Sequence, residues 1–205
     1  MEIDFERITP YQKLIIAKGL CDYQFIMEHR EDRNPDFIKV YYDFYLSARW
    51  RTMTNQHNQD VYFEKLNDFT PSNNSFNDLM NIINFFRENM HYNGNTAYEF
   101  SIASKLLHTK NPNTPIYDSK IRERLTSEHE IVFQWQMPNR ISGALRGTTD
   151  EEKIRHDWTA LCNWYEELFV EAGSEWIKWF DTNFPCYTHI SRYKKIDFII
   201  FATTP

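Results

Sequence analysis

A chain of 205 residues that is 41% apolar and 17% aromatic has enough hydrophobic surface to bury a sizeable core, which excludes intrinsic disorder and fits one domain or two closely packed lobes. A net charge of −6 excludes a surface coated in cations, so any nucleic acid must be met on one face only. Cys21, Cys162 and Cys186 stand far apart without a CxxC pair, the start Met1-Glu2-Ile3-Asp4-Phe5-Glu6 is acidic, and no uncharged apolar run reaches roughly eighteen residues; a soluble, cytoplasmic protein without disulfides, zinc cluster or membrane segment is expected.

Helical punctuation then dominates in chain order. Thr9-Pro10 opens a helix with Leu14, Ile15 and Leu20 on one face, and Asn34-Pro35 caps a second that carries Phe37, Val40, Tyr41, Phe44 and Tyr45. The Asn- and Gln-rich stretch 52–60 and Pro71-Ser72-Asn73-Asn74 are expected as surface connections. Ser75 begins a helix whose Phe76, Leu79, Met80, Ile83 and Phe86 recur at three-and-four spacing, and Thr96-Ala97-Tyr98-Glu99 is a capping box for the next. Only Ile131-Val132-Phe133-Gln134-Trp135 passes for a strand, with no partner hairpin beside it. A loop over 138–149 precedes a helix opened by Thr148 or Thr149, bearing Trp158, Leu161, Cys162, Tyr165 and Leu168 and closed by Gly173. Trp176, Trp179, Phe180 and Phe184 mark a core-facing helix near the end. These signals predict an all-α protein of roughly eight to ten helices. It forms one domain over 1–205, divided at most into a lobe of 1–74 with 149–205 and a motif-bearing set 75–148.

The charge is unevenly spread. Residues 101–148 hold seven bases against four acids, whereas 149–205 hold ten acids against six bases, so the middle of the chain is where an anionic ligand finds cations. There the helix through Ser101–Lys110 leads over Pro112 and Pro115 to Asp118, which takes the N-cap before Ser119-Lys120-Ile121-Arg122. At about 100° per residue, Ile102, Ala103, Leu106 and Leu107 share one side of the first helix, and Ser101, Lys105 and His108 gather on the other, expected to be the wet flank. A solvated lysine, an exposed helix-end histidine and a capping aspartate are the plain roles for these residues. No HxxxH, HExxH, GxSxG, Walker or GxGxxG pattern occurs, which removes the usual signatures of zinc hydrolases, serine hydrolases, nucleotide kinases and dinucleotide enzymes.

The run Pro115-Ile116-Tyr117-Asp118-Ser119-Lys120-Ile121-Arg122, behind a helix and a short proline-bearing loop, resembles the segment of helix-hairpin-helix DNA glycosylases in which a Pro-Val-Asp-Thr-His-Val type motif carries the catalytic aspartate. The resemblance implies that role for Asp118. In the lysine-bearing branch, which includes 8-oxoguanine DNA glycosylases, a lysine nucleophile precedes the aspartate; Ser104-Lys105-Leu106-Leu107 is similar to that region and makes Lys105 the candidate. The family hairpin, usually Leu-Pro-Gly-Val-Gly, corresponds to His91-Tyr92-Asn93-Gly94-Asn95-Thr96, which implies phosphate contacts at Asn93 and Gly94, with one glycine and no proline here. Registered on that hairpin, the lysine position falls near Thr96. The likeness covers residues 89–125.

What it implies is a glycosylase that extrudes a modified base from DNA, with Asp118 stabilising charge on the sugar and Lys105 forming a Schiff base that permits strand cleavage. DNA is the implied partner, and no metal or organic cofactor is needed. Lys120, Arg122 and Arg124 are candidate phosphate contacts, and Tyr117 and Trp135 candidate stacking partners for the base, against the commoner role of such aromatics as core. Two other classes stay open: a non-catalytic nucleic-acid-binding module in which Asp118 is only a cap, and a helical protein-interaction or defence-associated domain without DNA contact, for which the acidic net charge argues.

Overall fold

A computed structural model of the chain describes residues 5–31, 34–46, 53, 55–90, 97–129, 131, 133–134, 149–171 and 173–204. They form an all-α fold of nine helices, with no strand among the described residues: α1 Pro10–Glu28, α2 Pro35–Tyr41, α3 Gln56–Asp68, α4 Ser75–Asn89, α5 Ala97–Lys110, α6 Ser119–His129, α7 Asp150–Glu171, α8 Gly173–Asn183 and α9 Arg192–Thr203. A π-helical turn, Tyr42–Leu46, continues α2.

Most starts follow from capping chemistry. The Thr9 hydroxyl accepts the Gln12 N–H while the Gln12 side chain accepts the Thr9 N–H, a reciprocal box with Pro10 at the first helical position. Asn34 Oδ1 accepts the Phe37 N–H at 2.7 Å, Asn74 caps α4 through the Asn77 N–H, and Thr149 forms the box of α7 with Glu152. Several expectations are corrected. The 52–60 stretch is no simple loop: Asn55 accepts the His57 N–H at 2.9 Å and launches α3. Leu14 is 64% exposed, because the stripe of α1 that meets the core is Ile16, Leu20, Tyr23 and Ile26. Gly173 opens α8, α7 having ended at Glu171. Glu99 turns inward and pairs with Arg87 of α4, while Thr96, the other half of the expected capping box, lies outside the described residues. Residues 131, 133 and 134 form no strand; Gln134 donates its N–H to Asp157 and Phe133 packs edge-on to Tyr117.

Two helices have almost no wet side. α9 is packed by α1, α6 and α8, and every residue from Tyr193 to Ile200 is buried. α5 is packed by α4 and reached by the π turn, and residues 99–109 are buried throughout. Each fully buried Leu or Ile on such helices contributes about 1.5–3 kcal/mol. The polar side chains they carry must find partners inside the protein, because an unpaired buried group costs about as much as a buried methyl cluster gains. α1 approaches α9 closely at Gly19, where a β-carbon would meet the Phe198 ring at 2.7 Å, so any larger residue would force that ring to move.

Candidate functional site

The polar flank of α5 is set by hydrogen bonds to the segment after it. Ser104 Oγ donates to the Ser101 carbonyl and accepts the Tyr117 N–H at 3.0 Å, and His108 Nδ1 donates to the Thr114 carbonyl at 2.7 Å. Thr114 is in turn held by Asn111 at the helix end. The proline-bearing connection is thereby laid back along α5, and Asp118 begins α6 with Oδ1 accepting the Ile121 N–H at 3.0 Å. Neutral His108 accepts from the Tyr23 hydroxyl at 3.3 Å through Nε2, and its value is pushed down to about 3, first by burial and then by the Lys194 ammonium.

Lys105 is buried, which corrects its expected place on a solvated face. Its Nζ donates to the Tyr45 carbonyl at 2.9 Å, a group inside the π turn, where the wider winding of the helix re-aims backbone carbonyls. His108 is likewise fully buried and not an exposed helix end.

Lys105 and Asp118 line the same cavity, of about 470 Å³, between α1, the π turn, the start of α6 and α9. That volume is in the range of small-ligand sites. Its apolar wall includes Phe44, Tyr45, Phe198 and the half-exposed Phe201; its polar wall carries four lysines (18, 105, 120, 194) and four aspartates (22, 43, 118, 197). Lys194 and Asp197, one turn apart on α9, form a buried ion pair at 2.5 Å. The Tyr165 phenol is driven well above its ordinary value by burial first and then by Asp197 and Asp118, so it stays protonated in the field of both carboxylates. A second cavity, of about 550 Å³ beside α2 and α3, is lined by Asp60, Glu64 and Asp68 and by no cation, which suits neither an anion nor lysine chemistry.

The other candidates from the sequence are placed differently. Lys120 donates to the Thr204 carbonyl at 2.8 Å, completing the end of α9, and Arg124 is 9% exposed with Nη1 on the Thr203 hydroxyl and its guanidinium over Trp176. Both cations tie α6 to α9, which corrects their expected availability to phosphate. Arg122 is half-buried and has no ion pair among the described residues. Tyr117 is fully buried and stacked on Phe100 at 4.1 Å, so its ring has no open face for an extruded base. Asn93, Gly94 and Trp135 lie outside the described residues.

Sequence reasoning missed Lys194, Asp197, Phe198 and the Tyr45 carbonyl. A signal was present for the first two: Asp197 is the lone charge in the otherwise apolar run Ile196 to Phe201, and Lys194, three residues before it, is one helical turn away and able to pair with it. No described helix is long and apolar enough to cross a membrane, and no described group of His, Cys, Asp and Glu is placed to hold a metal ion. No family model matches the chain, nor does any curated protein or solved structure.

Proposed function

We propose that the chain is a DNA glycosylase with lyase capacity, acting on a modified base lodged in the 470 Å³ cavity. The observation that supports it is the convergence of Lys105 and Asp118, two residues thirteen apart in sequence, on one aromatic-walled cavity of a size that holds a nucleobase. In this mechanism the Lys105 ammonium gives up a proton, which leaves with the base. The amine nitrogen then bonds to the sugar C1′ as the glycosidic C–N bond breaks. Asp118, at the positive end of α6, stabilises the positive charge that develops on the sugar. Opening of the sugar ring gives a Schiff base on Lys105, from which the 3′ phosphate is eliminated. Phe44 and Phe198 supply the apolar wall against which the base rests.

A second reading has its own support: Lys105 already donates to the Tyr45 carbonyl and Asp118 already caps α6, so each has a structural task on a non-catalytic scaffold. Borohydride trapping on duplexes carrying uracil, 8-oxoguanine or an abasic site separates the two. A covalent adduct that disappears in Lys105→Gln supports the lyase; absence of adduct, base release and DNA retention at low salt would sink it.

A further inference from the structure

The two lysines that neighbour each other on α9, Lys194 and Lys195, are both buried and both paired with an aspartate, but in different ways. Lys195 donates to the Thr188 carbonyl, forms an ion pair with Asp181 of α8 and lies away from the cavity, so its charge is used in holding α9 to the α8 end. Lys194 bonds only Asp197, through Oδ2, and its ammonium is ringed by Phe198, Phe44, Tyr45 and Tyr23 at 4.7 to 5.3 Å from the ring centroids. Those π faces stabilise the cation without consuming its remaining N–H donors. Among the described residues no donor reaches the other Asp197 oxygen, Oδ1, yet Asp197 lines the cavity. A buried ion pair is costly to desolvate, and one with a spare acceptor and spare donors on a cavity wall is suited to a polar guest.

We infer that Asp197, oriented by Lys194, reads the edge of the nucleobase in the cavity, and that the bases accepted are lactams, which place a ring N–H beside an exocyclic carbonyl. This rests on the glycosylase proposal and assigns the substrate class of the same site. The carboxylate takes the ring N–H and the ammonium takes the carbonyl oxygen, two adjacent charge-assisted hydrogen bonds of fixed direction. A lactam N–H is a more acidic donor than an exocyclic amine, and a carbonyl oxygen is a better partner for an ammonium than a ring nitrogen, so uracil and hypoxanthine fit better than cytosine and adenine. Asp197 and Lys194 are here both specificity residues that touch the base, Lys194 also orienting the carboxylate; neither takes part in bond breaking.

The test uses the full chain and free nucleosides, measured by isothermal titration and saturation-transfer NMR. Deoxyuridine and deoxyinosine should bind at least tenfold more tightly than 3-methyldeoxyuridine and 1-methyldeoxyinosine, which lack only the ring N–H, and more tightly than deoxycytidine and deoxyadenosine. Replacing the pair together, Lys194→Met with Asp197→Leu, keeps the volume, leaves no unpaired charge and should abolish the preference while thermal unfolding stays cooperative. Asp197→Asn alone should also lose it, with a lower melting temperature. Equal binding of the methylated nucleosides, no binding of any nucleoside, or a preference that survives the double substitution overturns the inference. Base release from duplex DNA is measured in parallel. Release without lactam preference leaves the glycosylase and removes this substrate class, whereas preference without release leaves the subsite and removes the reaction.

Discussion

Asp118 serves two ends in this structure, and substitution can pull them apart. As an N-cap it satisfies one backbone donor, the Ile121 N–H at 3.0 Å. Loss of such a cap to alanine costs about 1 kcal/mol, with a range of about 0.5 to 2. Asparagine caps nearly as well as aspartate and forfeits only the charge–dipole contribution, about 0.3 to 1 kcal/mol. In a chain of this length 1 kcal/mol moves the melting temperature by about 2 to 4 °C. Asp118→Asn should therefore melt within a few degrees of the wild type, and Asp118→Ala somewhat lower. Catalysis follows a different order. Removing a preorganised charge aimed at the transition state lowers the rate by about a hundredfold to a thousandfold, and the neutral amide forfeits that charge as fully as alanine does. Single-turnover base release, measured beside thermal unfolding, should then show both variants equally slow although only one is destabilised. A rate that tracks stability, with Asp118→Asn or the capping variant Asp118→Ser close to wild type, would refute a catalytic carboxylate and leave Asp118 as a cap.

The Tyr165 hydroxyl is fully buried and finds no hydrogen-bond partner among the described residues, so Tyr165→Phe should raise stability by about 1 kcal/mol in denaturant titrations; a loss of that size would mean that the hydroxyl is satisfied by a bound water or another group. The His108 imidazole titrates near 3 in the folded state, below its unfolded 6.5, so its contribution is complete above pH 6.5 and is lost at about 1.4 kcal/mol per pH unit as the pH falls towards 3. Across pH 6.5 to 5 the wild type should lose about 2 kcal/mol more than His108→Gln, and parallel curves would contradict a buried neutral histidine. Arg122→Ala should weaken DNA retention and reduce the salt slope by about 1, whereas Arg124→Ala should lower the melting temperature and leave the slope unchanged. Gly19→Ala should displace Phe198 and weaken any ligand of the cavity, read as a rise in dissociation constant without loss of helical content.

Helix starts were legible because capping is local: Thr9, Asn34 and Asp118 each bond an N–H three residues on. The grouping of Ser101, Lys105 and His108 on one flank of α5 was legible for the same reason, since helix phase is geometry. What lay outside reach was the nature of that flank. Period alone separates apolar from polar sides and assigns water to the polar one, but here the connection 111–118 and the π turn close over it, and carbonyls of Thr114 and Tyr45 replace water as acceptors. The misplaced roles of Lys120 and Arg124 have a related cause. A cation in the first turns of a helix is badly placed for its own dipole, and both instead reach the carboxyl-terminal end of α9, where exposed carbonyls and hydroxyls welcome it. That pairing joins residues about eighty apart, a separation no local rule spans.

The charges lining the cavity set what the proposed action on DNA would require of an acidic protein. Four lysines and four aspartates sum to zero, so the cavity favours a neutral guest with several hydrogen-bonding groups, such as a base, over a phosphate. On the proposed reading phosphates are met outside the cavity, by the exposed Lys18 at its edge and the half-buried Arg122 on α6, which carry no ion pair among the described residues, while Lys120 and Arg124 bond the end of α9. Two such contacts give a salt slope of about −2, far shallower than that of proteins which grip the backbone with many cations. Affinity must then depend mainly on what occupies the cavity. Undamaged duplex should be held weakly even at low salt, and a duplex whose base fits should be held much more tightly with nearly the same salt dependence. A steep slope on undamaged DNA would place the cations elsewhere and would remove the cavity as the source of recognition.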